Sequence, residues 1–177
     1  INNPRETYRH LEHLMPHLFP DWGIPTFDCK TEHQFVDAVR NARPEAVCKP
    51  SYMFSGHGID FFQNDTPEEQ LKKYFHKWKH VVVQPFRKAV VEIGDLRILT
   101  FDGHILGCLL RKPPQGSKLA NLVYGGTGHF AKPTEKQRQA VAEMSPKLTQ
   151  MGIHLVGFDF IGDEMSEINI TCPTGIL

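Results

Sequence analysis

The spacing of hydrophobic and polar residues along the chain predicts a mixture of helices and strands. Helical spacing of apolar residues predicts a lead-in helix at 5–19, which Pro16 should kink or end early, and further helices at 66–79 and 134–150. Thr31 and Gln34 match a capping box and predict the start of another helix. Apolar runs between turn signals predict strands at 25–29, 46–50, 59–62 and 81–86. The first half is therefore predicted to form one α/β lobe.

The second half of the chain contains hairpin signals. Asp102-Gly103 predicts a tight turn between strands at 97–101 and 104–111. A short strand is predicted at 121–124, and a final hairpin turns at Gly162-Asp163. These elements predict a second sheet.

Length and charge limit the classes of function. A chain of 177 residues can bury one sizeable core or two small lobes, so we expect one functional unit. Twenty basic and twenty acidic residues balance, and there is no block of like charge. This balance argues against a nucleic-acid or membrane-surface partner, and any bound anion must be held locally.

Cysteine usage and the ends of the chain indicate the cellular setting. Four widely spaced cysteines without a CxxC pair favour reduced thiols and a cytoplasmic protein over a cysteine zinc site. No apolar run reaches the roughly 20 residues that cross a bilayer, and no signal peptide is evident. The chain starts without Met and stops just after a strand, so we expect it to be a piece of a longer protein.

The last hairpin carries a candidate metal site. Alternation places Glu167 and Asn169 on one face of their strand, and a loop of odd length would place Asp159 opposite Glu167. Two close carboxylates repel unless a proton or cation lies between them. Oxygen ligands suit Mg²⁺ that bridges substrate phosphates better than zinc. The alternative interpretation is an ordinary hairpin with a solvated polar face.

A lysine followed by a glycine-bearing loop is a candidate phosphate site. Lys49 ends a predicted strand, and the loop after it offers backbone N–H groups at Ser55, Gly56, His57 and Gly58. A solvated lysine at a strand end is the simpler alternative for this signal on its own.

Further polar residues could bind the rest of a nucleotide. Arg97 and Arg111 flank the predicted turn at Asp102-Gly103 on pairing strands and could clamp phosphate or carboxylate, or form surface ion pairs. Asp95 could accept hydrogen bonds from ribose hydroxyls, and the strand end Gln84-Pro85-Phe86 could offer backbone groups to a purine.

Three histidines at helical spacing suggest a second metal site. His10, His13 and His17 would align on one face of the lead-in helix. We favour surface histidines without a metal, because Pro16 disturbs that geometry.

Taken in order, these motifs resemble the ATP-binding region of bacterial glutathione synthetase, a member of the ATP-grasp superfamily. The similarity covers nearly the whole chain and is most specific at the run GFDFIGDEMSEINITCPT, residues 157–174. It rests on Lys49-Pro50, the glycine loop, Gly94-Asp95-Leu96-Arg97, Asp102-Gly103, Arg111, Asn121, Gly125-Gly126 and that final run.

The resemblance implies an α+β fold in which two lobes, 1–86 and 87–177, clasp a nucleotide, without the family's N-terminal substrate domain and C-terminal helix. It implies that ATP converts a carboxylate, γ-glutamylcysteine in the family, to an acyl phosphate that an amine, glycine, then attacks. The cofactors would be ATP and Mg²⁺, with Mn²⁺ as an alternative, and a homo-oligomer is one expected assembly. The implied roles are phosphate contact for Lys49, adenine contact for Gln84-Pro85-Phe86, ribose contact for Asp95, charge stabilisation for Arg97 and Arg111, nucleotide or substrate contact for Asn121 and the glycine loop, and metal ligation for Asp159, Glu167 and Asn169.

The chain also departs from the family pattern. His13 stands where the family has a nucleotide-contacting lysine. Lys118-Leu119-Ala120-Asn121 stands where the family has an arginine just before the Asn, and Thr127 stands where it has another after the Gly-Gly pair. The loop from Tyr52 to Gly58 is also bulkier than the family's glycine loop. These departures leave two alternatives open: a ligase of the same class with another acid or amine, and a non-catalytic nucleotide-binding regulatory module.

Overall fold

The computed structural model describes residues 1–173, so Thr174 of the family-like run and the terminal Gly175-Ile176-Leu177 lie outside the described residues. It divides into two compact units. The smaller unit is Ile24–Arg87, and the larger unit joins Ile1–Gly23 to the chain from Lys88 onward. The sequence-based boundary had instead grouped the first residues with the first lobe.

The smaller unit contains a four-stranded antiparallel sheet and two helices. The strand order is β1-β4-β2-β3. Phe35 is fully buried between sheet and helices, and its ring stacks on Tyr74 and Phe75 with centroids 5.7 and 5.8 Å away. The elements are β1 (Phe27–Cys29), α2 (Glu32–Asn41), β2 (Glu45–Pro50), β3 (Asp60–Gln63), α3 (Glu68–Trp78) and β4 (Val81–Pro85), with α1 preceding them in the larger unit.

The larger unit contains a five-stranded antiparallel sheet in the order β7-β6-β5-β8-β9. Its elements are α1 (Pro4–Arg9), a 3₁₀ helix (Glu12–Leu18), α4 (Ala89–Glu92), β5 (Asp95–Phe101), β6 (His104–Lys112), a second 3₁₀ helix (Leu122–Tyr124), β7 (Thr127–Phe130), α5 (Glu135–Gln150), β8 (Leu155–Ile161) and β9 (Glu164–Asn169). Both units combine helices with antiparallel sheets, which confirms the α+β class.

Alternation along the larger sheet separates an apolar face from a charged face. Buried residues of the central strands pack with α5 into one core; they include Leu96, Ile98, Phe158, Phe160, Ile168 and Ile170. The intervening positions carry charge, because successive strand residues point to opposite faces. The strand register aligns Arg97 with Asp159, and Asp159 with Glu167. The sheet therefore presents a row of three charged residues across β5, β8 and β9.

The predicted pairing of Asp159 with Glu167 is confirmed, although its cause differs from the predicted one. Gly162 and Asp163 form a two-residue turn between Ile161 and Glu164. The odd residue is supplied by a register shift within the hairpin, because Phe160 pairs with Met165. Such a bulge brings one extra residue into a strand and re-aims the side chains beyond it.

The capping box predicted at Thr31 is confirmed, a second one at Thr134 was not predicted, and two local predictions are wrong. Thr31 caps α2 with Gln34, and Thr134 caps α5 with Gln137. The lead-in segment is α1 followed by the first 3₁₀ helix, with extended residues between them. The strand predicted at 121–124 is the second 3₁₀ helix, which ends at Gly125 in a left-handed conformation with φ 84°. The α4 and β7 elements were not predicted.

The N-terminal segment is fixed to the larger unit by side chains. Asn2 Nδ2 donates to the carbonyls of Leu155 and Ile170, each at 2.7 Å, and Asn2 Oδ1 accepts from two amides at the start of β8. Glu12 Oε1 accepts from the amides of Ile170 and Thr171. These bonds join residues more than 150 positions apart in the chain and so define the end of the sheet.

Within residues 1–173, no helix combines the length and hydropathy needed to span a membrane.

Candidate functional site

Four charged side chains of the larger unit form a buried hydrogen-bonded group, which we call the charge cluster: Asp95, Arg97, Arg111 and Asp159. Arg97 donates from Nε to Asp159 Oδ1, and from Nη2 to Asp159 Oδ2 at 2.7 Å. Arg111 Nη2 lies 2.6 Å from Asp95 Oδ2 and 2.9 Å from Asp159 Oδ2. The strands impose this arrangement, because Asp95 pairs with Arg111 and Arg97 pairs with Asp159.

The electrostatics of the cluster favour ionised Asp159. Burial tends to raise the pKa of Asp159, but Arg111 and Arg97 outweigh it and hold that pKa below the ordinary value. Burial would lower the pKa values of both guanidinium groups, yet the facing carboxylates raise them above their ordinary value. Both arginines are therefore permanent cations. Burial is also the largest influence on Asp95, and the pKa of Asp95 is raised to about 6.

The cluster retains unused hydrogen-bonding capacity. Asp95 Oδ1 and Arg111 Nε are buried and have no hydrogen-bond partner among residues 1–173. Buried polar groups without partners are uncommon in folded proteins, and each calls for a physical explanation. A polar ligand that reaches these atoms would supply one.

The three predicted metal ligands lie together on β8 and β9. Asp159 faces Glu167 across the hairpin, and Asn169 Nδ2 donates to Asp159 Oδ2 at 3.1 Å. This orientation leaves Asn169 Oδ1 without a donor among the described residues. Two carboxylates and an amide oxygen would form the all-oxygen donor set that Mg²⁺ prefers, and in this structure both oxygens of Asp159 are bound by Arg97, Arg111 and Asn169.

No group of three or more His, Cys, Asp or Glu side chains within residues 1–173 is placed to hold a metal ion. The predicted set has only two such side chains, Asp159 and Glu167, because its third ligand is Asn169. The aligned histidine face is not formed. Helix α1 ends before His10, which pairs with Glu6 at 3.3 Å, while His13 lies buried on the first 3₁₀ helix.

In the smaller unit, the side chain of Lys49 is mostly buried. It lies on β2 opposite Val82, and only 8% of its surface is exposed. Within the described residues its ammonium group has no hydrogen-bond or ion-pair partner. The neighbouring Ser51 hydroxyl, which the sequence did not suggest, is also buried without a partner. The sequence feature that could have indicated Ser51 is its position two residues after Lys49.

The glycine loop offers backbone donors. Ser55, Gly56 and Gly58 all adopt positive φ, at 57°, 83° and 74°. The amides of Ser55 and Gly56 have no acceptor among the described residues, whereas His57 N–H donates to the Phe54 carbonyl at 3.1 Å. Gly58 cannot be replaced freely, because an added Cβ would lie 2.5 Å from the Trp78 ring.

The predicted adenine-binding strand end offers fewer N–H groups than its length suggests. Pro85 has no N–H, and Phe86 N–H donates to the Glu45 carbonyl at 2.7 Å. Gln84 is buried, and its Nε2 donates to Thr26 Oγ1 at 2.9 Å.

Asn121 lies in the larger unit at the start of the second 3₁₀ helix. Its carbonyl accepts from the amides of Tyr124 and Gly126, and its side chain has no partner within residues 1–173. Thr127, where the sequence lacks an expected arginine, has its hydroxyl 3.2 Å from His129 Nε2.

Comparison with known proteins identifies the family. Residues 12–177 match the family described as prokaryotic glutathione synthetase, ATP-grasp domain. The chain is 31% identical over 180 residues to glutathione synthetase of Brucella melitensis and 35% identical over 179 residues to that of Mesorhizobium japonicum. Each alignment covers 99% of this chain, but only 57% and 56% of the respective relative. The chain therefore spans little more than half the length of these relatives.

Solved structures support the fold. D-cycloserine synthetase DcsG matches with a TM-score of 0.72 and 18% identity, over 94% of this chain and 64% of that one. D-alanyl-alanine synthetase A from Vibrio cholerae matches with a TM-score of 0.66 and 16% identity, over 97% of this chain and 59% of that one. With the family match, these similarities show that the chain belongs to the prokaryotic glutathione synthetase family and has the ATP-grasp fold.

Proposed function

We propose that this chain supplies the nucleotide-binding and metal-binding residues of an ATP-dependent carboxylate–amine ligase. The reaction proposed for the whole protein joins γ-glutamylcysteine to glycine through an acyl phosphate, as the family resemblance implies. The charge cluster beside Glu167 and Asn169 carries this proposal most strongly. It combines fixed cations with an oxygen donor set on one sheet face.

Arg97 and Arg111 suit the stabilisation of phosphoryl charge. Their guanidinium groups are buried, permanently charged and held by the carboxylates of the cluster. A cation fixed before substrate binds needs little reorganisation when negative charge develops. Phosphoryl transfer is accelerated mainly by positioning and electrostatic stabilisation, so this chemistry requires no nucleophilic side chain.

Asp159, Glu167 and Asn169 would hold Mg²⁺, and Asp159 is ionised for that role because its pKa is lowered. When bound, the metal would neutralise phosphate charge and orient ATP. Mn²⁺ has a similar preference for oxygen ligands and is proposed as a substitute.

Lys49 and the glycine loop would bind ATP phosphates. The Lys49 side chain is mostly buried and its ammonium group has no protein partner, so a phosphate oxygen could bind it. Backbone N–H groups in turns are suited to anions, and Ser55 and Gly56 provide two. Asp95 and the Gln84-Pro85-Phe86 strand end are proposed for ribose and adenine.

ADP release tests the proposal. The protein, with any natural sequence that adjoins residues 1–177, is supplied with Mg²⁺-ATP, γ-glutamylcysteine and glycine, and each substrate is omitted in turn. The Asp159→Asn/Glu167→Gln variant is the control. ADP release that requires both substrates and both carboxylates supports the proposal. Bound nucleotide without turnover would instead indicate a non-catalytic module or another acid substrate.

A different acid substrate is a second candidate. Lys118-Leu119-Ala120-Asn121 and Thr127 stand where the family's substrate loop has two arginines, and Thr127 contacts His129. Two fewer cations should weaken binding of a peptide with two carboxylates. A panel of alternative acids, assayed by ADP release with glycine, would distinguish the two candidates.

A cytoplasmic location and a homo-oligomeric assembly are also proposed. All four cysteines are free thiols, which suits a reducing compartment. Fractionation of the source cells would test the location, and analytical ultracentrifugation would test the assembly.

A further inference from the structure

We propose that His13 is a positioning residue that orients the metal-binding carboxylate of Glu167. This inference rests on the proposed function, because it assigns His13 to the Mg²⁺ site described there. The observation that carries it is the distance of 3.3 Å between His13 Nδ1 and Glu167 Oε2.

Both partners are shielded from water, which strengthens such a contact. The side chain of His13 is 10% exposed and that of Glu167 is 20% exposed. His13 Nδ1 does not meet hydrogen-bond geometry, so the 3.3 Å distance is a close polar contact, and its attraction to the carboxylate is stronger at reduced solvent exposure than at a surface. The contact therefore restricts the rotamer of Glu167 and occupies one of its two oxygens.

Other bonds already attach the first 3₁₀ helix to β9. Glu12 Oε1 accepts from the amides of Ile170 and Thr171, and Met165 N–H donates to the Trp22 carbonyl at 2.8 Å. These bonds do not involve His13. The helix can therefore remain docked when the imidazole is changed, and a positioning role can be separated from a structural one.

Partners that hydrogen-bond a ligating side chain commonly change metal affinity by about 10–100-fold when they are removed. The 3.3 Å contact with Glu167 involves Nδ1 rather than Nε2. Asparagine places an amide N–H near the position of Nδ1, whereas glutamine places it near the position of Nε2. His13→Asn and His13→Gln are therefore a matched pair of similar polarity.

The experiment measures the thermal unfolding midpoint at a fixed ATP concentration while Mg²⁺ is varied, using the protein with any natural adjoining sequence. We expect His13→Gln to raise the Mg²⁺ concentration for half-maximal stabilisation by about 10-fold. His13→Asn should remain within about threefold of wild type, and the two variants should unfold at similar temperatures without metal. His13→Ala repeats the comparison if the glutamine variant does not fold.

Two further variants separate the explanations. Glu12→Ala should lower the metal-free unfolding temperature and leave the Mg²⁺ requirement unchanged. In a Glu167→Gln background, His13→Gln should have no further effect on the Mg²⁺ requirement. A glutamine variant with the wild-type Mg²⁺ requirement, or an asparagine variant as weak as glutamine, would overturn the inference and assign His13 to packing. A wild-type protein without any Mg²⁺ response would overturn the proposed function as well.

Discussion

Each unit contains a mostly buried cationic residue on a central strand, but only the larger unit provides that residue with carboxylate partners. In the larger unit, Arg97 is held by two hydrogen bonds to Asp159, and Asp159 also binds Arg111. In the smaller unit, Lys49 is buried to a similar degree and has no partner among residues 1–173. The first cation is compensated by the fold, and the second has no partner among the described residues.

This difference predicts different effects of the two cations on stability. A buried pair that is broken leaves an uncompensated charge, so the larger unit should depend on its arginines for stability. A buried cation without a partner costs stability, so the smaller unit should not depend on Lys49 for folding. Trp22 lies in the larger unit and Trp78 in the smaller one, so fluorescence can follow each unit after the other tryptophan is replaced by phenylalanine.

The largest effect is expected for Arg97→Met. The change removes two hydrogen bonds from buried Asp159, and we expect it to lower the free energy of unfolding of the larger unit by about 3 kcal/mol. Urea denaturation followed by Trp22 fluorescence measures the effect. A loss below about 1 kcal/mol would mean that the cluster does not stabilise the unit.

The next effect concerns the pH dependence contributed by Asp95. The folded pKa of about 6 lies above the ordinary value of 3.8, so the folded state binds the proton more tightly. The stability contributed by Asp95 is therefore fully present below pH 3.8 and is lost as the pH rises through about 6. The pKa of Asp159 is lowered, so its contribution is present above 3.8 and is lost only at lower pH.

Wild type should therefore gain stability relative to Asp95→Asn when the pH falls from 7 to 4.5, by at most about 3 kcal/mol. Urea denaturation at a series of pH values measures the difference, and exposed Asp21→Asn is the control. A difference between wild type and Asp95→Asn that does not change with pH would contradict the assigned environment.

Each unit has one helix with a threonine cap, so the stability effect of losing a cap can be compared between the units. Thr31 caps α2 through the Gln34 amide, and Thr134 caps α5 through the Gln137 amide. Each Thr→Ala change should cost about 1 kcal/mol in its own unit, and each Thr→Ser change should cost little. The loss at Thr134 should be the larger one, because its hydroxyl also lies 3.1 Å from Asp163 Oδ1. Urea denaturation followed by the fluorescence of each unit measures both losses. A larger loss for Thr31→Ala than for Thr134→Ala would contradict the prediction.

The smallest effect on stability is expected for Lys49→Met. The substitution keeps a similar side-chain length and removes a buried charge that has no protein partner. We expect the free energy of unfolding of the smaller unit to stay within about 1 kcal/mol of wild type, or to rise. Urea denaturation followed by Trp78 fluorescence is the measurement. A loss as large as that of Arg97→Met would remove the contrast between the units.

The sequence predicted the features that depend on local chemistry. Turn residues placed the hairpin at Asp102-Gly103, and the capping box at Thr31 placed the start of α2, because these signals act over a few residues. Alternation also placed Glu167 and Asn169 on one face, opposite the buried Ile168. These predictions required no knowledge of distant contacts.

Features that depend on distant contacts escaped prediction. The bulge that brings Asp159 opposite Glu167, and the bonds from Arg97 and Arg111 to Asp159, arise from pairing between strands. The contact of His13 with Glu167 spans more than 150 positions and requires a 3₁₀ helix to lie against β9. Spacing along the chain contains no information about such partners, so the resemblance could place the ligands but not what holds them.

Calorimetric titration of Mg²⁺-ATP into wild type and Lys49→Met tests the central contrast most directly. If a phosphate compensates Lys49, the variant should remain folded and bind Mg²⁺-ATP about 10–100-fold more weakly, as expected for the loss of a hydrogen bond to a charged group. A folded variant that binds Mg²⁺-ATP as tightly as wild type would contradict the assignment of Lys49 and of the smaller unit to phosphate binding.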